Sequence, residues 1–319
     1  MKKNPPENLF IIIAGPTGTG KSSIALQVAK KIPAEIINAD SRQFYREINV
    51  GTAKPLQKDF SIVPHHLYSF LSLRESFTAF DFRRIVEKLV PEIWKRKRVP
   101  ILVGGSGLYI RTLIQGIFDL PEEKKILQKE ARKKFLEIET EKLYEMLKKV
   151  DPECASKIHP NDRVRIIRAL EVWNITGIPM SVWQKKAGAA DFVNQATVKY
   201  FVFTINRETL YRILDERTQA MLDSGWLDEV KNLIESGYAD CLKEKAPLGY
   251  PELCEFLEGK MNWEETVETI KRKTRNYARR QLTWFRKEKK TEWIDITDKN
   301  HIEVSKILLK KILEEKDEN

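Results

Sequence analysis

Cysteine is scarce in this chain. Cys154, Cys241 and Cys254 are the only three among 319 residues. They are too few and too scattered for a disulfide framework or a Cys-x-x-Cys metal site, the usage of a reducing compartment. Long hydrophobic runs are missing as well. The longest, Leu9 to Ala14, falls far short of the roughly 20 apolar residues of a membrane-spanning helix. Met1-Lys2-Lys3-Asn4-Pro5-Pro6 carries no apolar signal region, so the expected location is cytoplasmic, with no membrane partner. No internal repeat or low-complexity tract occurs. No run of four aliphatics ends in Asp-Glu, and there is no Asn-Lys-x-Asp motif, so the usual ATPase and GTPase parts are lacking. His65-His66 has no cysteine or third histidine at ligand spacing, which points to a structural or hydrogen-bonding role rather than a metal.

Positive charge, by contrast, is plentiful. The 56 Lys+Arg against 46 Asp+Glu give +10 and a pI near 9.3, a balance that favours polyanionic partners and makes nucleic acid a live hypothesis. Residues 271–290 alone hold ten Lys/Arg and one acid, Glu288, with Tyr277, Trp284 and Phe285 interleaved. Part of that set must be the buried face of a helix; Trp284 is expected in the core and the arginines on nucleic acid.

Residues 15 to 22 read Gly-Pro-Thr-Gly-Thr-Gly-Lys-Ser, a full match to the phosphate-binding loop G-x-x-x-x-G-K-[ST]. The context fits: Leu9 to Ala14 reads as a buried strand and Ser22 to Lys31 as an amphipathic helix. Gly15, Gly18 and Gly20 let the backbone turn its N–H groups onto an anion between Pro16, Thr17 and Thr19. The helix N-terminus and Lys21 add positive charge, and Ser22 is placed to ligate Mg²⁺.

Further strands are expected at 35–39, ending at Asp40, and at 99–103 before Gly104-Gly105, with a helix over 79–97 between them that kinks at Pro91. Strands separated by helices imply a parallel sheet with its ligand crevice at the strand carboxyl ends, where Gly20, Asp40 and Gly104 would meet. From Pro121 the texture becomes densely charged and helical until a strand at 198–205, followed by a helix over 207–222 capped by Asn206. The expected fold is thus α/β, a P-loop NTPase-like parallel-sheet core with a helical insertion domain. The core's first part is residues 1–119, the insertion 120–196, and residues 197–319 complete the core with basic C-terminal helices; the last few residues should fray. Asp40, across from a phosphate loop, has two natural functional uses, holding Mg²⁺ or accepting a proton from a nucleophile, and on the residues alone a plain cap or turn aspartate is as good a reading.

An ordered series of further segments makes a resemblance specific. It runs Asp40-Ser41-Arg42-Gln43-Phe44-Tyr45, Gly51-Thr52-Ala53-Lys54-Pro55, Pro64-His65-His66-Leu67, Asp81-Phe82, 103–109 (Val-Gly-Gly-Ser-Gly-Leu-Tyr), His159-Pro160-Asn161-Asp162, Arg168-Ala169-Leu170-Glu171, Gly249-Tyr250 and 277–285. With the phosphate loop, this series resembles the tRNA dimethylallyltransferases, also called tRNA isopentenyltransferases. The chain lacks a Cys/His-rich extension after residue 290, so the bacterial type is the closer likeness.

The resemblance implies transfer of a dimethylallyl group from dimethylallyl diphosphate to N6 of the adenine 3′-adjacent to the anticodon. The tRNAs are those reading codons that begin with U, and diphosphate is released. It implies Mg²⁺ at Ser22, tRNA anticodon stem-loop and donor as partners, and action as a monomer. It assigns catalysis to Asp40 as base for N6, Ser106 as an assisting hydroxyl and Arg217 on the diphosphate. Extruding the stacked adenine demands a broad RNA grip. Contacts are expected from Asp40, Ser41, Arg42 and Gln43; from Val164, Arg165, Ile166, Ile167 and Arg168 in the insertion; and from Gly249, Tyr250, Arg279 and Arg280. Two rival readings remain open on the residues: a small-molecule kinase, and an RNA-binding module whose phosphate loop is vestigial or regulatory.

Overall fold

The computed structural model describes residues 6–117 and 125–314. The chain forms two compact units, one of Met1–Ile110 with Asp191–Asn319 and one of Arg111–Ala190. The expected start of an insertion at 120, the opening pentapeptide and the tail at 315–319 lie outside the described residues. At the far side, the sequence places the return to the core at 197, whereas the sheet unit already resumes at Asp191. The reason is Phe192, which is buried there against the rings of Phe10 and Trp94, at 5.1 Å and 6.0 Å between centroids.

The first unit is built on six strands: β1 Leu9–Ala14, β2 Ala34–Asn38, β3 His65–His66, β4 Val99–Gly104, β5 Thr197–Thr204 and β6 Glu292–Asp295. They lie in the order β3-β2-β4-β1-β5-β6, every neighbouring pair parallel. β1, β2 and β4 are buried along their whole lengths, as expected of parallel strands covered on both faces. On one face Leu9, Ile11, Ile13, Phe201 and Phe203 pack with Ile24 and Val28 of the Lys21–Ala29 helix and with Val304, Leu308 and Ile312 of the His301–Leu313 helix. β3 and β6 are not evident in the sequence: one is two residues long, the other a four-residue edge strand with one buried side chain.

Register brings the functional loops to one edge. Ala14 pairs with Gly104 and Asn38 with Val103, so the segments after β1, β2 and β4 leave the sheet at one level. β4 passes so close to the segment after β2 that a Cβ on Gly104 would stand 2.1 Å from the Ala39 carbonyl oxygen. Only glycine fits there.

After β5, Asn206 caps the Arg207–Asp223 helix by accepting the Glu208 and Thr209 N–H groups at 2.8 and 3.4 Å. Leu210, Leu214, Thr218 and Leu222 form its buried stripe. Leu210 and Leu214 pack on Ala278 and Leu282 of the long Trp263–Phe285 helix, and Arg275 pairs with Asp215 at 2.6 Å.

The second unit is helical, with Leu143, Leu147, Cys154, Ile166, Ile167 and Leu170 in its core. Asp162 caps the Arg163–Thr176 helix, accepting the Arg165 N–H at 3.2 Å. Among the described residues no helix is long and apolar enough to cross a membrane.

Candidate active site

The phosphate loop spans the turn between β1 and the Lys21–Ala29 helix. Its Lys21 side chain folds back to donate to the Pro16 carbonyl at 2.6 Å, with Thr19 Oγ1 at 3.4 Å. Burial is the largest influence on this ammonium and pulls its pKa to about 7; Asp40 opposes the drop and Arg217 adds to it. Arg217 comes from the Arg207–Asp223 helix and donates to Thr17 Oγ1 at 3.0 Å. Its pKa too is lowered by burial and raised by Asp40. Two desolvated cations thus share one carboxylate, a charge arrangement that an anionic ligand completes.

Asp40 stands just past β2 in a loop shaped by Asn38, a fully buried residue whose amide donates to the Leu67 and Asp40 carbonyls at 2.9 and 3.2 Å. The side-chain Oδ1 of Asn38 accepts the Asp40 N–H at 2.8 Å, and Asp40 Oδ1 accepts the Arg42 N–H at 3.0 Å. The Ser106 hydroxyl accepts the Ser41 N–H at 3.0 Å and meets the Ser41 hydroxyl at 3.3 Å. It therefore holds the loop that carries Asp40.

Two adjoining cavities collect these groups. One, of about 180 Å³, is lined by loop residues Thr17, Gly18, Gly20, Lys21 and Ser22 with Asp40, Gln43, Arg217 and Gln281. The other, of about 290 Å³, shares Thr17, Asp40 and Arg217 and adds Arg42, Thr52, Trp226, Tyr277 and Arg280. Asp40 and Arg217 stand at the junction, between a cationic phosphate pocket and a larger one with aromatic and basic walls. Ser106 lines neither.

Among the described residues no group of three His, Cys, Asp or Glu could hold a metal. Ser22 is nonetheless exposed at the first turn of its helix and lines the same cavity as Asp40. A hydroxyl and a carboxylate facing a phosphate pocket are hard oxygen donors that suit Mg²⁺, an ion that keeps waters and phosphate oxygens as its other ligands.

Several expected RNA contacts are corrected by burial. Ile166 and Ile167 lie in the core of the helical unit, leaving Val164 and Arg165 exposed on that helix. Arg165 pairs with Asp162 at 3.1 Å, and Arg168 lies 3.6 Å from the buried Glu171. Gly249 and Tyr250 are buried too. Gln43 is 7% exposed, and its amide nitrogen is committed to the Thr52 and Ala53 carbonyls at 2.9 and 3.1 Å, so its donor is used within the fold. Ser41 is half-buried; Arg42 is exposed, anchored to the Lys245 carbonyl at 2.6 Å. Arg279 and Arg280 are both exposed, and Arg280 sits over the Tyr277 ring at 5.8 Å. Trp284, expected in the core, is only half-buried against Gly107, and its neighbour Phe285 is the one that is fully buried.

One functional residue was not assigned a role from sequence. Gln281 accepts the Thr17 N–H at 2.9 Å and donates to the Gly105 carbonyl at 2.9 Å, joining the phosphate loop to the turn after β4. The signal was there: a glutamine between Ala278 and Phe285 on an otherwise apolar stripe is a polar group that must find buried partners. His66 and Glu35 answer the histidine question. His66 Nε2 meets Glu35 at 2.7 Å and His65 Nδ1 the Val63 carbonyl at 2.7 Å, both structural roles.

Residues 43–288 match the family model described as IPP transferase. The chain belongs to the IPP transferase family. That span opens after the phosphate loop and Asp40, but similarity to individual IPP transferase relatives reaches further. The chain is 44% identical to tRNA dimethylallyltransferase 1 of Citrifermentans bemidjiense over 285 residues, 89% of this chain and 91% of the relative. It is 41% identical to the tRNA dimethylallyltransferase of Geobacter metallireducens, covering 93% and 96%. Among solved structures it resembles the full-length tRNA isopentenylpyrophosphate transferase of Bacillus halodurans, with a TM-score of 0.68, 34% identity and coverage of 96% and 97%. A eukaryotic dimethylallyltransferase acting on tRNA aligns with a TM-score of 0.75 and 29% identity, over 91% of this chain and 74% of that one.

Proposed function

We propose that this protein is a tRNA dimethylallyltransferase. It moves the dimethylallyl group of dimethylallyl diphosphate onto N6 of the adenine 3′-adjacent to the anticodon, in tRNAs reading codons that begin with U. The observation that carries the reading is the position of Asp40 and Arg217, which line both the phosphate-loop cavity and the larger basic and aromatic one. In the reaction the allylic C–O bond breaks and an N6–C bond forms. Asp40 takes the N6 proton, and diphosphate leaves into the pocket of Lys21, Arg217 and the loop N–H groups, where preorganised charge stabilises it. Ser106 holds the Asp40 loop in place. Ser22 would hold Mg²⁺, which supplies Lewis-acid charge neutralisation at the diphosphate.

The flipped adenine would occupy the larger cavity, beside Tyr277 and Arg280. The exposed Arg42, Arg279 and Arg280 would hold neighbouring phosphates, and Val164 and Arg165 of the helical insertion would give a further RNA contact. One chain supplies Lys21, Asp40, Ser106 and Arg217, which supports action as a monomer; the location is cytoplasmic. Incubation with labelled dimethylallyl diphosphate, unmodified tRNA and Mg²⁺ tests the reading. Label in the adenine supports it, and phosphate transfer from ATP, or no transfer, sinks it. Omitting Mg²⁺ with EDTA present tests the metal separately.

A further inference from the structure

One hydrogen-bonded cluster at the edge of the larger cavity is used by none of these steps. Glu229, on the Trp226–Glu235 helix, accepts the backbone N–H groups of Asn49 and Val50 with Oε2, each at 3.0 Å. Its Oε1 accepts the Tyr250 hydroxyl at 2.6 Å, and that hydroxyl in turn accepts the Gly51 N–H at 3.2 Å. Three consecutive N–H groups that open the Val50–Thr52 turn are therefore held by one carboxylate and one phenol, each about 180 to 200 positions away in sequence. The arrangement serves the turn as an N-cap serves a helix, except that the acceptors are distant. Burial, followed by the Glu229 charge, pushes the Tyr250 phenol far above its ordinary pKa, so it stays protonated and donates to the carboxylate.

The turn is itself a template. Its Thr52 carbonyl and the Ala53 carbonyl accept both amide hydrogens of buried Gln43, and the Gln43 N–H returns to the Asp40 carbonyl at 3.1 Å. Gly51 rests on the ring of Trp226, the first residue of the helix that carries Glu229; a Cβ at 51 would stand 2.3 Å from that ring. Glu229 thus connects through the turn and Gln43 to the loop holding the carboxylate at the cavity junction. We propose that Glu229 and Tyr250 act as a pair of positioning residues that set Asp40 against the acceptor base. The proposal rests on the transferase reading above.

The test is kinetic and uses the full chain. In Glu229→Ala and Tyr250→Phe, the single-turnover rate at saturating tRNA and dimethylallyl diphosphate should fall at least tenfold. Affinity for inorganic diphosphate should stay within about twofold, because the phosphate loop is not touched. The double variant should be no slower than the slower single variant, since both act through one turn, and Glu229→Gln, which keeps one acceptor, should retain more rate than Glu229→Ala. A wild-type rate in either folded variant, multiplying losses in the double variant, or a matching loss of diphosphate affinity would each overturn the pairing. If Glu229→Ala does not fold, Tyr250→Phe, lacking a single hydroxyl, carries the same test. Absence of transfer by the unmodified protein would instead sink the transferase reading, whatever the variants do.

Discussion

Gln281 accepts the backbone N–H of Thr17 at 2.9 Å across 264 positions of sequence. The phosphate loop is therefore held from outside, by a residue of the basic helix that also grips the Gly105 carbonyl. Replacing Gln281 with Leu leaves both backbone groups buried without partners, at about 1–3 kcal/mol. The expected result is a melting temperature lower by a few degrees and weaker diphosphate binding, read by calorimetry. Diphosphate affinity equal to the unmodified protein would show that the loop holds its shape without Gln281.

Diphosphate binding should depend on pH through Lys21. In the free protein its pKa is drawn down to about 7 by burial, and an anion in the loop raises it again. After correction for the diphosphate's own protonation, which also changes near neutral pH, affinity should be level below pH 7 and fall above it, with uptake by Lys21 of up to one proton per ligand bound near pH 8. Calorimetry in buffers of different ionisation enthalpy measures that proton. Asp40→Asn removes the group that supports the charge, so it should move the fall in affinity to lower pH.

Asp40→Ala should reduce transfer by about 10²–10⁴-fold, the range for a general base, with tRNA affinity largely kept. Ser106→Ala should be milder, because it loosens the Ser41 anchor and leaves the carboxylate in place; Ser106→Thr retains the hydroxyl and should recover most of the rate. Lost tRNA binding with normal turnover in the Asp40 variant would contradict a base.

Stability should have its own pH signature at Glu35. This carboxylate is 3% exposed, beneath Arg96 at 2.7 and 2.9 Å and His66 at 2.7 Å. Burial alone would raise its pKa, but the Arg96 and His66 hydrogen bonds outweigh that and hold it below the usual carboxylate value. A depressed folded pKa gives stability that is complete above the unfolded value and fades as pH falls through the folded one. Glu35→Gln should therefore be destabilising by about 2 kcal/mol at pH 7 and progressively less so below about pH 4.5. Urea titrations at both pH values read the difference; equal losses would remove the charge from the account.

Neutralising Arg279 and Arg280 together should weaken tRNA binding and flatten its dependence on salt by roughly one to two units of log–log slope. An unchanged slope would return both arginines to a solvated helix face.

The sheet was legible because its strands are uniform: β1, β2 and β4 are buried, mostly aliphatic runs that run into glycine or a polar residue. β3 was not, since two residues carry no period. Lys21, Asp40 and Arg217 line one cavity; the loop motif and the sheet order pointed to the first two, whereas Arg217 rested on the family resemblance alone. Tyr250, Ile166 and Gln43, expected at the RNA surface, are buried for a common reason. Each lies in a distinctive segment, but a segment does not reveal which way a side chain faces, and tertiary partners decided that: Glu229 for the tyrosine, the helical core for the isoleucine, two carbonyls for the glutamine.

The order β2-β4-β1 has a chemical consequence. Asp40 leaves β2 and the phosphate loop leaves β1, with β4 alone between them. Base and leaving-group pocket are thus rooted two strand spacings apart, about 9–10 Å, a separation maintained by ladder hydrogen bonds. The Asp40 and Lys21 side chains close that gap by reaching into one cavity, so an inhibitor that tethers adenine N6 to a diphosphate mimic would need only a short linker, matching the single allylic carbon that passes between them. Mutations in the cavity walls would change how tightly such a compound binds, while the preferred number of atoms in the tether would stay the same.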